Sequence, residues 1–121
     1  MRGHMTDAKA DLLQGTLDLL VLKTLEAMGP MHGWGIARRI EQVSEDALRM
    51  NQGTLYPALV RLEQRRWIKS RWGISENNRR ARFYALTPKG LRQWRAEEAR
   101  WERMSAIIGR IRQAFPQESA P

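Results

Sequence analysis

The sequence predicts a mainly α-helical fold with one small two-stranded hairpin, and three observations support that class. Apolar residues recur at helical spacing in three separate stretches ahead of residue 66. Two short segments, 67–72 and 82–86, have the alternation and aromatic content of strands and are split by a polar, arginine-rich loop. Thr87-Pro88 then supplies an N-cap and a proline at the first helical position, opening a last helix that runs to about residue 114 before Pro116 stops it. Helix, hairpin, helix in that order is the outline of a winged helix-turn-helix with a further C-terminal helix.

The first helix is expected over 12–28, where Leu12, Leu13, Leu17, Leu20, Val21, Leu25 and Met28 share a face that Leu19 and Leu22 widen. Gly29-Pro30 ends it. The second, over roughly 33–43, buries Ile36, Ile40 and Val43 and turns Arg38 and Arg39 outward. Residues 44–51 form the turn before a third helix over about 52–65, with Leu55, Leu59 and Leu62 on one face. Pro57 is tolerable near a helix start, where backbone N–H groups lack partners within the helix, and Thr54 is the expected N-cap. The loop between the strands holds turn-forming Gly, Ser and Asn residues followed by Arg79 and Arg80. Residues 12–87 therefore read as a winged-helix DNA-binding domain and 88–115 as a C-terminal dimerisation helix. Residues 116–121 read as a disordered tail, and residues 1–5, MRGHM, as a cloning remnant.

Charge points to a polyanionic partner. The chain of 121 residues carries 21 Lys or Arg and 13 Asp or Glu, for a net charge of +8, which favours nucleic acid first and an anionic membrane surface second. Residues 61–82 alone hold eight cations against two anions, so most of the excess sits in under a fifth of the chain. Cysteine is absent, which excludes disulfide frameworks, thiolate zinc sites and thiol catalysis. No stretch resembles a signal peptide or an apolar span of about 20 residues, so a cytoplasmic protein without membrane contact is expected.

The third helix opens with Gln52, Thr54 and Tyr56, polar or flat side chains that can approach base edges and phosphates. Its N-terminus adds partial positive charge. Arg79 and Arg80 at the wing tip suit phosphate. Arg61 and Arg65 are candidates either for DNA or for ion pairs with Glu63, and Lys23, Arg38 and Arg39 are candidates for backbone contacts. His32, beside Gly33 at a helix start, reads as a structural cap, since metal binding needs partners the sequence lacks.

MHGWGIARRIE at 31–41, GTLYPALVRLE at 53–63 and RRARFYALTPKG at 79–90, behind an apolar first helix, resemble the PadR-like family of bacterial transcriptional regulators. The resemblance covers about Leu12 to Ile111. It implies a homodimer of winged helices, with helix three in the major groove, the wing against the backbone or minor groove, and dimerisation through the first and last helices. The family pattern usually has glycine where this chain has Arg66, so the end of helix three must accommodate a side chain.

The last helix has the pattern for such an interface. Trp94, Trp101, Ile108 and Phe115 recur every seven residues, Met104 and Ile111 lie between them, and Glu97 interrupts the seam. Another subunit is the economical cover, with packing onto the chain's own first helix the alternative for the first two turns. Leu17 of the first helix is expected in the same interface. Some drug-sensing members of the family sandwich flat apolar ligands with an aromatic of this helix, and the resemblance assigns that position to Trp101, which an anchor without ligand fits equally. Trp34, Trp67 and Trp72 read as core filling.

Rival classes fit less well. An enzyme would need an acid–base or nucleophilic constellation, and the acidic pair Glu97-Glu98 lies on a solvent-type helix. No cofactor and no metal are expected. A winged module acting mainly through protein–protein contact, without a ligand, is the remaining alternative, and steep salt dependence of duplex binding separates it from a DNA-binding regulator. The favoured expectation is a repressor acting as a homodimer on a pseudo-palindromic operator, with release by a small aromatic ligand as a possible control.

Overall fold

Helix α1 (Arg2–Met28) leads through strand β1 (Met31–His32) into α2 (Gly33–Val43) and α3 (Gln52–Gln64), then a hairpin of β2 (Ile68–Ile74) and β3 (Arg80–Leu86), and α4 (Pro88–Ala114). This computed structural model describes the backbone of residues 2–117 and the side chains of residues 15–117, that of Gln52 excepted. Leu12 and Leu13 in α1, the side chains of the proposed remnant at 1–5, and residues 118–121 of the expected tail lie outside the described residues.

Helical spacing decides the core. Leu17, Val21, Leu22 and Leu25 of α1 meet Ile36 and Ile40 of α2, and Leu55, Ala58, Leu59 and Leu62 of α3. Ile68 and Tyr84 close it from the hairpin. Leu17 is thus a core residue, 3% exposed, and not a surface residue free for a partner as expected, because its face of α1 is the one that packs on the chain's other helices. Val43 also departs from expectation: it sits on the exposed end of α2. Gly29, with φ +81°, takes the left-handed conformation that ends α1.

Glu41 and Ser44 brace the turn between α2 and α3, where the Ser44 hydroxyl accepts the Leu48 N–H at 3.1 Å. Glu41 accepts the Met50 N–H on Oε2 at 2.8 Å, and its backbone carbonyl accepts the Asp46 N–H at 2.9 Å and the Ser44 hydroxyl at 3.2 Å. The N-cap of α3 is Asn51, not Thr54. Asn51 has extended backbone angles, and its Oδ1 accepts the N–H and the hydroxyl of Thr54 at 2.9 and 3.1 Å. Thr54 is therefore three residues inside the helix. Pro57 lies farther in still; the carbonyl it leaves without a donor belongs to exposed Gly53, within reach of solvent.

Helix α3 ends in a Schellman motif. Trp67 N–H reaches the Leu62 carbonyl at 3.0 Å, and Arg66 N–H the Glu63 carbonyl at 2.9 Å. Arg66 occupies the left-handed position, with φ +63°. Just beyond it, the Thr87 hydroxyl contacts the carbonyls of Arg66 (2.7 Å) and Trp67 (3.0 Å), and the Thr87 N–H donates to Trp67 at 3.0 Å. Thr87 also caps α4 by accepting the Gly90 N–H, as Thr87-Pro88 predicted. Gly90 is buried against this junction: a Cβ there would run into the Trp67 carbonyl oxygen.

The sheet is antiparallel with order β1-β3-β2. Its third strand extends the two-stranded wing that the sequence predicts. Met31 and His32 pair with Tyr84 and Phe83; two residues carry no alternation signal and form a strand only by docking on the β3 edge. In the hairpin, Ile68 pairs with Leu86, Ser70 with Tyr84, Trp72 with Arg82 and Ile74 with Arg80. Helix α4 packs on α1 through its opening turns, where Trp94 is half-buried against the core. From Glu98 onward it is exposed, Gly109 excepted.

Two stability effects follow. Arg66→Gly removes the left-handed penalty, about 1–2 kcal/mol, at the cost of roughly 0.5–1 kcal/mol of backbone entropy, so chemical denaturation should show a net gain of about 0.5–1 kcal/mol. Gly90→Ala must displace the Trp67 carbonyl or α4 itself, and a loss of about 1–3 kcal/mol is expected in the same assay.

Candidate nucleic-acid interface

Period 3.6 on α3 and period 2 on the wing bring two half-exposed stripes face to face. On α3, Tyr56, Val60 and Glu63 lie to one side of the buried Leu55, Ala58, Leu59 and Leu62. On the hairpin, the face that buries Ile68 and Tyr84 at its base carries Trp72, Ile74, Arg80 and Arg82 towards its tip. Between the stripes is an open cleft of about 950 Å³, whose walls include Trp34, Tyr56, Val60, Trp72, Arg80 and Arg82. Tyr84 lines it as well; burial pushes its phenol above the usual tyrosine range, with the Arg82 cation opposing, so the hydroxyl stays protonated.

Cations and aromatics are interleaved here. The Arg80 guanidinium lies 4.6 Å from the Trp72 ring centre and that of Arg82 5.7 Å, while Arg38 sits 5.1 Å from Trp34. Arg82 Nε donates to the Ser70 hydroxyl at 2.9 Å, which donates to Glu63 Oε2 at 2.7 Å, linking the wing to α3. Trp34 and Trp72 are each 55% exposed. They are not the core fillers expected from their positions; of the three tryptophans so expected, Trp67 alone packs on the core. Their strand and helix registers place them beyond the edge of the buried face.

His32 caps α2. Its Nδ1 accepts the Gly35 N–H at 2.9 Å, as its place at a helix start suggested. With Nδ1 an acceptor, Nε2 is the protonated nitrogen of the neutral ring and donates to Glu76 Oε1 at 3.3 Å. That contact ties α2 to the turn of the wing, where Ser75 N–H reaches the Arg79 carbonyl at 2.8 Å and Asn78 takes a positive φ. The side chains of Arg79 and Arg80 are exposed and line the cleft; that of Thr54 is exposed but not among the lining residues, and that of Gln52 lies outside the described residues.

Two of the expected DNA contacts are otherwise engaged. Arg61 shares its side of α3 with Ala58 and Leu62, and its Nη2 donates to Asp18 of α1 at 2.7 Å. This is neither the Glu63 pair nor the solvent-facing cation that its neighbours suggest. Lys23 pairs with Glu26 at 2.9 Å and lies 5.5 Å from the Trp94 ring centre, at the α1–α4 junction. Neither Asp18, 43 residues away in sequence, nor the tertiary stack on Trp94 has a local signal. Arg82, absent from the expected contacts, had one: it alternates with Arg80 on a strand.

Along α4, Trp101, Met104, Ile107, Ile108, Ile111 and Phe115 form a continuous exposed apolar stripe, between 42% and 78% accessible. Among the described residues, no helix is long and apolar enough to cross a membrane, and no three potential metal ligands cluster.

A helix-turn-helix whose second helix shares a cleft with a basic hairpin is a winged-helix DNA-binding domain. Residues 21–96 match the transcriptional regulator PadR-like family. The chain is 40% identical over 101 residues to an uncharacterized 37.1 kDa protein in a transposon of Streptomyces fradiae, covering 83% of this chain and 26% of that protein's length. A transcriptional regulator from Clostridium thermocellum superposes with a TM-score of 0.72 at 29% identity, covering 83% of this chain and 96% of that one. A PadR family transcriptional regulator from Eggerthella lenta gives 0.69 at 26%, covering 91% and 94%. The chain belongs to the PadR-like family of transcriptional regulators, which bind DNA and are not enzymes.

Tyr56 is 51% exposed at the mouth of the cleft. Tyr56→Ala should leave stability within about 0.5 kcal/mol of the parent, the scale of a surface change, while costing roughly 1–3 kcal/mol of operator binding. Paired melting and titration curves check this, and a melting loss on the scale of a core deletion would overturn the placement.

Proposed function

We propose that the protein is a homodimeric repressor that occupies a pseudo-palindromic operator and so blocks promoter DNA without chemistry. In this reading the opening turns of α3, with Gln52, Thr54 and Tyr56, face base edges in the major groove. Arg79 and Arg80 of the wing, with Arg38 at the edge of the cleft, meet phosphates. Arg61 and Lys23 drop out of the contact set, because partners on α1 and α4 already hold them. The observation that carries the proposal is that Asn51 and Tyr56 at the start of α3 and Arg79, Arg80 and Arg82 of the wing line one cleft. Footprinting on the DNA adjoining the protein's own gene tests for an operator. Changing Arg79 and Arg80 together to Ala should weaken specific and mixed-sequence duplex binding alike, and lower the slope of log K against log salt by about 1–2. Unchanged slope and affinity would remove the wing from the interface.

The exposed apolar stripe of α4 supports the dimer. A surface of this kind is rare on a monomer, and two winged modules a helical turn of DNA apart double the phosphate contacts. Trp101, Met104, Ile108 and Ile111 form the seam and Trp101 is its anchor, while Trp94 serves its own subunit by packing back on the core. Trp101→Ala should weaken the dimer by several kcal/mol, as hot-spot aromatics do, and lower DNA affinity with it; sedimentation at varied concentration measures the first. A variant that stays dimeric and bound to DNA but loses a parental response to flat aromatic ligands would make Trp101 an effector platform instead. A parent that is monomeric at micromolar concentration would defeat both.

A further inference from the structure

We infer that Trp72 is a positioning residue for DNA binding: its indole gathers Arg80 and Arg82 on the cleft side of the wing so that both guanidiniums address one stretch of phosphate backbone. The inference rests on the DNA-binding reading of the cleft and adds a role for a residue outside the expected contact set.

The geometry begins with register. Trp72 is directly opposite Arg82, and Arg80 is opposite Ile74, so all four side chains lie on one face of a two-stranded ladder. Two arginines two residues apart on a strand repel each other, and long exposed side chains otherwise splay into solvent. Here both guanidiniums rest on the same ring, at 4.6 and 5.7 Å from its centre. An indole is the strongest of the aromatic partners for a cation. Ser70 fixes Arg82 a second time through Nε, and Ser70 is itself held by Glu63 of α3. The bond to Ser70 uses the inner nitrogen of Arg82 and leaves the terminal pair without a protein partner among the described residues. The Arg80 side chain has no hydrogen-bond or ion-pair partner there.

A half-exposed tryptophan that fills no core needs another account of its place, and the stack provides one. Holding the two side chains in advance spares part of the conformational entropy that phosphate binding otherwise costs. The wing thereby presents a fork of two cations, each able to make bidentate contact with phosphate oxygens. Trp72 need not touch DNA for this, and it adds no charge of its own.

The test is a double-mutant cycle on mixed-sequence duplex DNA at low and moderate salt. The proteins are the parent, Trp72→Ala, Trp72→Phe, the pair Arg80→Ala with Arg82→Ala, and that pair combined with Trp72→Ala. Trp72→Ala should weaken binding about five- to tenfold with the salt slope unchanged, because two stacked cations lose their support but still release counterions. Trp72→Phe should recover most of the loss. In the background lacking both arginines, Trp72→Ala should change nothing. An equal loss in both backgrounds would mean that Trp72 contacts DNA directly and would overturn the proposal, as would no loss at all. Melting curves guard against a folding defect, and a Trp72→Phe variant that is as stable as the parent yet binds no better than the Ala variant also overturns it. Absence of salt-dependent duplex binding by the parent would instead overturn the DNA-binding reading itself.

Discussion

One backbone carbonyl, that of Trp67, is the point through which the rest of the molecule is aligned. It receives the Thr87 N–H, lies within reach of the Thr87 hydroxyl, and sits against a glycine that must be side-chain free. The end of α3, the roots of both hairpin strands and the first turn of α4 therefore have no independent freedom. The wing's angle to α3, and so the width of the cleft, is set at this junction. So is the direction in which α4 leaves the domain. Arg66 in its left-handed conformation is the cost of making that turn without glycine.

Much of this was legible in the sequence, for reasons that differ by element. The faces of α1 to α3 follow from leucines at helical spacing, and Thr87-Pro88 marked the start of α4 through a local mechanism that tertiary contacts did not override. His32 was readable as a cap because the residues after it leave little else for it to do. Two of the misreadings share one cause: each concerns where a periodic face stops being covered. Trp72 continues the alternation of Ile68 and Ser70, but the core ends beneath it. Leu17 has the spacing of an interface residue, yet α2 and α3 reach far enough to bury it. Asn51 displaced Thr54 as cap because helix ends are decided by backbone angles that a residue list does not contain.

Charge was legible only in bulk. The basic stretch at 61–82 holds most of the net positive charge, but among its arginines three physical kinds stand out. Arg61 is internal ballast, paired to α1 across 43 residues. Arg66 is a conformational element. Arg80 and Arg82 are oriented cations. Counterion release draws on exposed cations such as those of the wing and not on Arg61, which is already paired, so net charge overstates the electrostatic reach of the basic stretch.

The outer part of α4 has a thermodynamic consequence of its own. A helix of its size standing free in water is close to the coil threshold, and Gly109 in its middle weakens it by a further ~1 kcal/mol relative to alanine. Among the described residues, α4 is exposed from Glu98 onward, Gly109 excepted. On the proposed dimer, a partner that covered the stripe from Trp101 to Phe115 would therefore also supply free energy that keeps those turns wound. On that reading, helical order and concealment of the stripe form a single equilibrium.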